Sequence, residues 1–482
     1  MQMEKARWVC TTCKARKKAC DKVLPICSYC KKRQLNCKYD DDEESCAEIK
    51  RWTGADRSHI GGGTSILSNE RYSLANERAA VDRIMHEQVC QIIRVTDMST
   101  LEMSDQYFRG FHKVLPIISA DILQDSLVRR DGSLPPPASL SLLILSMYLV
   151  TLNPSESKMP TMLSYYVTVK TSFSHVQALE ISSIYMVQAG LLIAGYEYAC
   201  SQPDAAYLSL GVSARMFALC SRRQAQGTEN SMKTSVETNV AWGIIILERL
   251  ILCEIDDVHE KLINDYPKVD FQLPSELEPR DAFRSMSTSS SPNVYSLSNI
   301  SAITGGGNFR QQAKTVALLD EVLSAIRTSS EKESKQSDLT AIGAKLQDFL
   351  SAGLAENGWA WGASYGALAI IIRSLFLLHQ NILRNLPSES IHSKSWQMSR
   401  DALNMATRIM IDTSHDHIDH GMPHNVDSIP LCGGYNLRCA VEHIETNYDV
   451  VNNSRYSDDL RTLAKLCDAF YTRWRPLGCR RD

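Results

Sequence analysis

At 482 residues, with 44% hydrophobic and 22% charged side chains, the chain has the make-up of a globular protein with room for more than one folded unit. Its fifteen cysteines do not describe a secreted disulfide scaffold: six fall between Cys10 and Cys37, and the rest scatter from Cys46 to Cys479 without a shared spacing. The net charge of −3 conceals a polarity, because residues 1–40 carry eleven Lys or Arg against Glu4, Asp21 and Asp40, a net of +8 that leaves −11 for residues 41–482. A basic head on an acidic body fits a polyanion-binding module joined to a unit that avoids polyanions. Met1 to Val9 is polar and has no signal-peptide pattern. The longest apolar run, Leu140 to Leu152, falls short of the roughly 18 residues a membrane span needs, and predicts a buried helix.

The first element is the cysteine frame C-x2-C-x6-C-x6-C-x2-C-x6-C, formed by Cys10, Cys13, Cys20, Cys27, Cys30 and Cys37. Thiolates are soft ligands that hold zinc tetrahedrally at about 2.3 Å. Two ions need eight metal–sulfur bonds, so six thiolates suffice only if two of them bridge. The frame is also an internal repeat: Cys10-Thr-Thr-Cys-Lys-Ala-Arg is echoed by Cys27-Ser-Tyr-Cys-Lys-Lys-Arg, and each half predicts a short helix starting near its second cysteine. About 30 residues have almost no apolar core, so metal binding must supply most of the folding free energy.

This segment resembles the binuclear zinc cluster of fungal transcription factors. The resemblance implies two structural Zn2+ ions with no open coordination position. It makes Cys10 and Cys27 the bridging ligands, gives Cys13 and Cys20 to one ion, and Cys30 and Cys37 to the other. It further implies that the first helix meets the major groove of double-stranded DNA. There Lys17, three positions before the third cysteine, contacts a guanine of a CGG-like half-site. Guanine presents O6 and N7 as paired acceptors in that groove. Lys14 belongs to the same basic helix. Arg16, Lys18 and Lys22, with Lys31, Lys32 and Arg33 of the second half, are assigned to phosphates, which position the module without reading sequence. Pro25 matches the proline of the family's inter-repeat loop, whereas Ala19 stands where the family usually carries a basic residue.

Residues 1–40 are thus expected to form the DNA-binding domain and 41–65 a flexible linker, from the acidic run Asp40–Glu44 to Gly61-Gly62-Gly63. A helical stripe follows through Leu74, Val81, Ile84, Met85, Val89 and Ile92. Arg78 and Gln88 share its face and no three clean heptads fit, so it reads as the first helix of the next domain rather than a zipper, and leaves a homodimer open.

Beyond residue 100 the pattern is apolar and helical, predicting a large all-α body over 66–284 and 311–482, with a Ser/Gly-rich disordered insertion at 285–310. Tyr107–Ile117, Val187–Leu192, Tyr207–Met216, Ala241–Ile244 and Phe271–Pro274 resemble landmarks of the fungal-specific transcription factor regulatory domain. The chain departs from that pattern at Thr238, Asn239 and Ala241, with Trp242 the one tryptophan retained. Asn299-Ile300-Ser301 matches a glycosylation acceptor within the insertion. Ser414 to His420, with His424, gathers histidines and aspartates; it is expected to be a polar loop after a helix ending near Met410, with a second metal site or a His/Asp hydrolase centre as the sharper alternative. No Gly-rich phosphate loop, nucleophile elbow or kinase signature is present.

These readings imply a nuclear, non-enzymatic regulator of RNA polymerase II genes, with promoter DNA and the transcription machinery as partners and no membrane. A fungal secondary-metabolite gene cluster is the implied target. A metal-dependent enzyme and a zinc-headed protein-interaction scaffold are the alternatives.

Overall fold

The computed structural model describes residues 9–37, 66–128, 135–153, 162–179, 183–224, 231–255, 263–267, 271–275, 308–327, 332–357, 365–387, 393–419, 426–447 and 454–474. The linker at 41–65, the Ser-rich stretch 285–307 with its Asn299–Ser301 motif, His420 and His424 lie outside them. Two compact units divide the chain, Met1–Ser73 and Leu74–Asp482.

The first unit holds two five-residue helices, α1 (Thr11–Ala15) and α2 (Ser28–Lys32). Its core is sulfur rather than hydrocarbon. Cys10, Cys13, Cys27 and Cys30 are fully buried, with Cys20, Tyr29, Leu35 and Cys37 packed around them.

The second unit is built of helices, with no β-strand among the described residues. It opens within α3 (Ile66–Thr96) and α4 (Thr100–Arg109). Ser99 begins α4 with a reciprocal cap: its hydroxyl accepts from Glu102 N–H at 3.2 Å, and the Glu102 carboxylate accepts from Ser99 N–H at 2.7 Å. Two donors that the first turn leaves unpaired are thereby satisfied. Most of the stripe on α3 is packed: Met85 and Val89 are buried and Val81 and Ile92 lie against the core, whereas Ile84 is exposed.

A short α5 (Ala120–Val128) leads to α6 (Ala138–Thr151), where every residue from Ala138 to Val150 is buried. A helix apolar all round has no solvent face to present and sits inside a core. Then come α7 (Met162–Leu179), α8 (Ile184–Ala199), α9 (Pro203–Gln224) and α10 (Ser231–Leu252). The equally buried α8 packs between α6 and α9. The second half contains α11 (Asn308–Arg327), α12 (Lys332–Asn357), α13 (Tyr365–Asn385), α14 (Lys394–Asp419), α15 (Gly433–Asn447) and α16 (Ser454–Arg473). Here α13 is the hub, touching α11, α12, α14 and α15. One continuous apolar cluster runs from Met85 to Trp474.

The run from Leu140 lies in a buried helix, as expected, and Tyr365–Asn385 is a second apolar helix, long and apolar enough by composition to cross a membrane. Buried Arg373 and His379 break its run in the sequence, and most of it is buried as core. One sequence expectation needs correction, at the histidine cluster. The helix expected to end near Met410 continues to Asp419. Met410, Ile411, Ser414 and His417 form its buried face at three- and four-residue spacing, so helical packing overrides the local polarity. His417 meets the Tyr365 ring edge-on with centroids 5.7 Å apart.

Segments far apart in sequence are clasped around residues 115–118. Gln188 donates to Ile117 O at 2.7 Å, and Asn239 donates to Pro116 O at 2.8 Å and to Ser275 O at 2.7 Å. Asn239 also accepts from Ser275 N–H at 2.9 Å. Trp242 donates its indole N–H to Gln272 O at 2.8 Å. At the far end of the chain, Arg473 donates to Val150 O at 2.6 Å and Leu152 O at 2.8 Å, so a cation caps the carbonyl end of α6.

Candidate metal centre and nucleic-acid interface

The two halves of the cysteine frame fold alike down to single hydrogen bonds. Cys10 precedes α1 in extended conformation, and its sulfur accepts from Cys13 N–H at 3.4 Å; Cys27 precedes α2 and accepts from Cys30 N–H at the same distance. Lys14 N–H donates to Cys10 O at 3.0 Å and Lys31 N–H to Cys27 O at 2.9 Å. Each helix then stops by turning left-handed, at Lys17 (φ 51°) and Gln34 (φ 52°). The following amides, Lys18 N–H and Leu35 N–H, return to Cys13 O and Cys30 O, both at 3.0 Å. These bonds occupy carbonyls that a helix end leaves open.

The sulfurs converge. Cys10 Sγ lies 3.8 Å from Cys27 Sγ and 3.7 Å from Cys30 Sγ, and Cys13 Sγ lies 3.7 Å from Cys27 Sγ. A tetrahedron with 2.3 Å metal–sulfur bonds has sulfur–sulfur edges of about 3.8 Å, so the donor set fits zinc. Two quartets can each hold an ion, Cys10–Cys13–Cys20–Cys27 and Cys10–Cys27–Cys30–Cys37, and the residues they share are Cys10 and Cys27. Burial, then hydrogen bonds with neighbouring thiols, pushes the Cys30 thiol up to about 12 and raises Cys13, whereas at Cys27 burial is outweighed by hydrogen bonds from the Cys30 amide and neighbouring thiols, which lower it. For Cys13 and Cys30 to ionise in place a cation is needed, and zinc supplies that charge. Among the described residues, both metal-capable quartets consist of cysteines; the histidines of α14 join neither.

Outside the sulfur core, Lys14, Arg16, Lys17, Lys18, Lys31, Lys32 and Arg33 are exposed and Lys22 is half-buried. Lys14, Arg16, Lys17 and Lys18 thus cluster on α1 and its exit turn, and Lys31, Lys32 and Arg33 on the matching part of α2. Asp21 and Thr12 hold the frame by bonds that the cysteine spacing does not predict. Asp21 accepts from Ser28 N–H at 3.0 Å, and the Ser28 hydroxyl with that amide holds its carboxyl below the usual range. The Thr12 hydroxyl donates to Asn36 O and ties the start of one half to the end of the other. An acidic residue between two cysteine triplets was the one visible hint of the first bond; nothing local announced the second.

Residues 8–46 match the family model of the fungal Zn(2)-Cys(6) binuclear cluster domain. The head is a zinc-cluster domain. Such domains are the DNA-binding modules of fungal transcription factors rather than enzymes, and the six clustered cysteines bind two structural zinc ions. No curated protein matches the chain.

Proposed function

We propose that the protein is a nuclear, sequence-specific regulator of RNA polymerase II genes that reads CGG-like half-sites through its zinc-cluster domain. The observation that carries the reading is the pair of repeats just described, which presents Lys14, Arg16, Lys17 and Lys18 on an exposed helix end held by buried thiols. Cys10 and Cys27 bridge the two ions, consistent with their membership of both quartets. Cys13 and Cys20 complete one ion, Cys30 and Cys37 the other. Lys17 reads guanine, while Arg16, Lys18, Lys22, Lys31, Lys32 and Arg33 neutralise phosphates.

The helices of 66–284 and 311–482 serve as the regulatory domain. The clasp of Gln188, Asn239 and Trp242 on residues 115–118 and 271–275 supports this, since it joins segments that resemble that domain's landmarks. Contacts with the transcription machinery and a second copy of the chain belong to this body. Control of a fungal secondary-metabolite gene cluster is the biological role most in keeping with the resemblance.

The test is selection of bound sites from random duplexes by the full-length, zinc-loaded protein. Enrichment of CGG triplets, singly or as a spaced pair, is expected. Retention of duplexes with no shared triplet would contradict the reading.

A further inference from the structure

A cleft of about 760 Å³ opens between α3, the start of α4, α5 and the beginning of α6. Small-molecule sites commonly measure about 300–1,000 Å³. Val89, Leu127, Pro135, Pro136, Leu140 and Ile144 give the cleft an apolar floor. Ile84 also lines it and is 51% exposed, so an apolar group laid across the cleft would take this side chain out of water.

The polar side of the cleft comes from one stretch of α3, and it selects by charge. Arg83 donates its Nε–H to Ala79 O at 3.2 Å, which anchors the guanidinium. The side chain is exposed, and among the described residues its two terminal nitrogens bond nothing. His86 stands three residues on, and Glu87 is the one carboxylate in the described lining. Glu87 is already taken: its Oε1 accepts from Arg94 Nη1 at 2.8 Å, so its charge is offset within its own helix. What the cleft offers a ligand is therefore an accessible guanidinium fork, the group that pairs a carboxylate through two parallel N–H bonds.

We propose that this cleft binds an amphipathic monocarboxylate, with the carboxylate on the Arg83 guanidinium and the hydrocarbon chain along the apolar floor beside Ile84. A neutral amphiphile of the same length forgoes the charged pair, and an alkyl cation meets Arg83 as a like charge. The proposal is independent of the DNA reading, because its test measures ligand binding to the body alone.

Decanoate, 1-decanol and decylammonium, which share one alkyl chain and differ in charge, are titrated below micelle-forming concentrations into full-length zinc-loaded protein and followed by ligand-observed NMR. Saturable decanoate binding is expected, with 1-decanol about tenfold weaker, the factor that one hydrogen-bonded charge supplies, and decylammonium weaker still. Arg83→Gln, a change at an exposed side chain, is expected to bring decanoate down to the 1-decanol level. Leu127→Trp, which sets an indole on the floor without touching Arg83, is expected to weaken decanoate and 1-decanol alike by about tenfold while far-UV circular dichroism stays native. Should that variant fail to fold, Arg83→Gln keeps the test decisive. Decanoate gathered only by the basic head would bind both variants as it binds the wild type. No saturable decanoate binding to the wild type, equal binding of decanoate and decylammonium, or unchanged decanoate binding to Arg83→Gln or to folded Leu127→Trp would each overturn the proposal.

Discussion

At the scale of single residues, the zinc-cluster head places different demands on side chains that look equivalent. Lys17 sits at φ 51°, a conformation that costs an L-residue energy and that glycine adopts freely. Lys17→Gly therefore removes the side chain while keeping the turn, a cleaner deletion than Lys17→Ala. Either change is expected to cost about 1–3 kcal/mol in specific binding and to relax preference at one base pair, measured by fluorescence anisotropy on matched and mismatched duplexes. Lys32→Ala, removing a proposed phosphate contact, is expected to weaken binding to all duplexes alike and to lower the slope of log K against log salt by about one. Cys27→Ala removes a sulfur common to both quartets. Loss of both zinc ions and of the folded head is expected, read by metal analysis and circular dichroism, whereas a folded mutant retaining two ions would rule out the bridge.

At the scale of elements, close approach and capping decide what each helix tolerates. Gly190 of α8 faces α9 so closely that an added Cβ would stand 2.1 Å from Ser213 Oγ and 3.1 Å from the Phe173 ring. Gly190→Ala is expected to destabilise the body by about 1–3 kcal/mol as a clash in the core, seen as a lower urea midpoint with unchanged zinc content. Arg473→Ala uncaps α6 and leaves two buried carbonyls without their charged donor; a loss of about 2–3 kcal/mol is expected by the same measurement. The head was legible in sequence because its chemistry is local: ligand spacing, a repeat and a basic helix all lie within residues 10–37. The helical character of the body was legible from apolar periodicity. The run of α14 through His415 and His417 was not, because polar residues mask a packed face that exists only once Tyr365 lies against it. Nor was the clasp legible. Asn239, noticed only as a departure from pattern, bonds a carbonyl 123 residues away, and no local signal encodes such a partner.

At the scale of the whole molecule, the two units draw stability from different sources and respond to acid for different reasons. Burial pushes His379 down to about 4 and, with Arg400 nearby, His443 to about 4 as well. A histidine whose folded value is depressed binds fewer protons when folded than unfolded between pH 4 and 6.5, so stability is present above pH 6.5 and lost as pH falls toward 4. For His379 the loss is about 3 kcal/mol, and His379→Gln is expected to flatten that part of the stability–pH curve measured by urea unfolding. Protons also compete with zinc for the thiolates of the head, so acid releases metal as well as loosening the body.

Zinc and DNA recognition meet in one titration. Zinc is added to metal-free, reduced, full-length protein while binding to a CGG-bearing duplex is followed by anisotropy. No specific binding without metal and a sharp break at two zinc ions per chain are expected. Specific binding in the metal-free protein, or a break at one or at three equivalents, would contradict a binuclear cluster as the element that reads DNA.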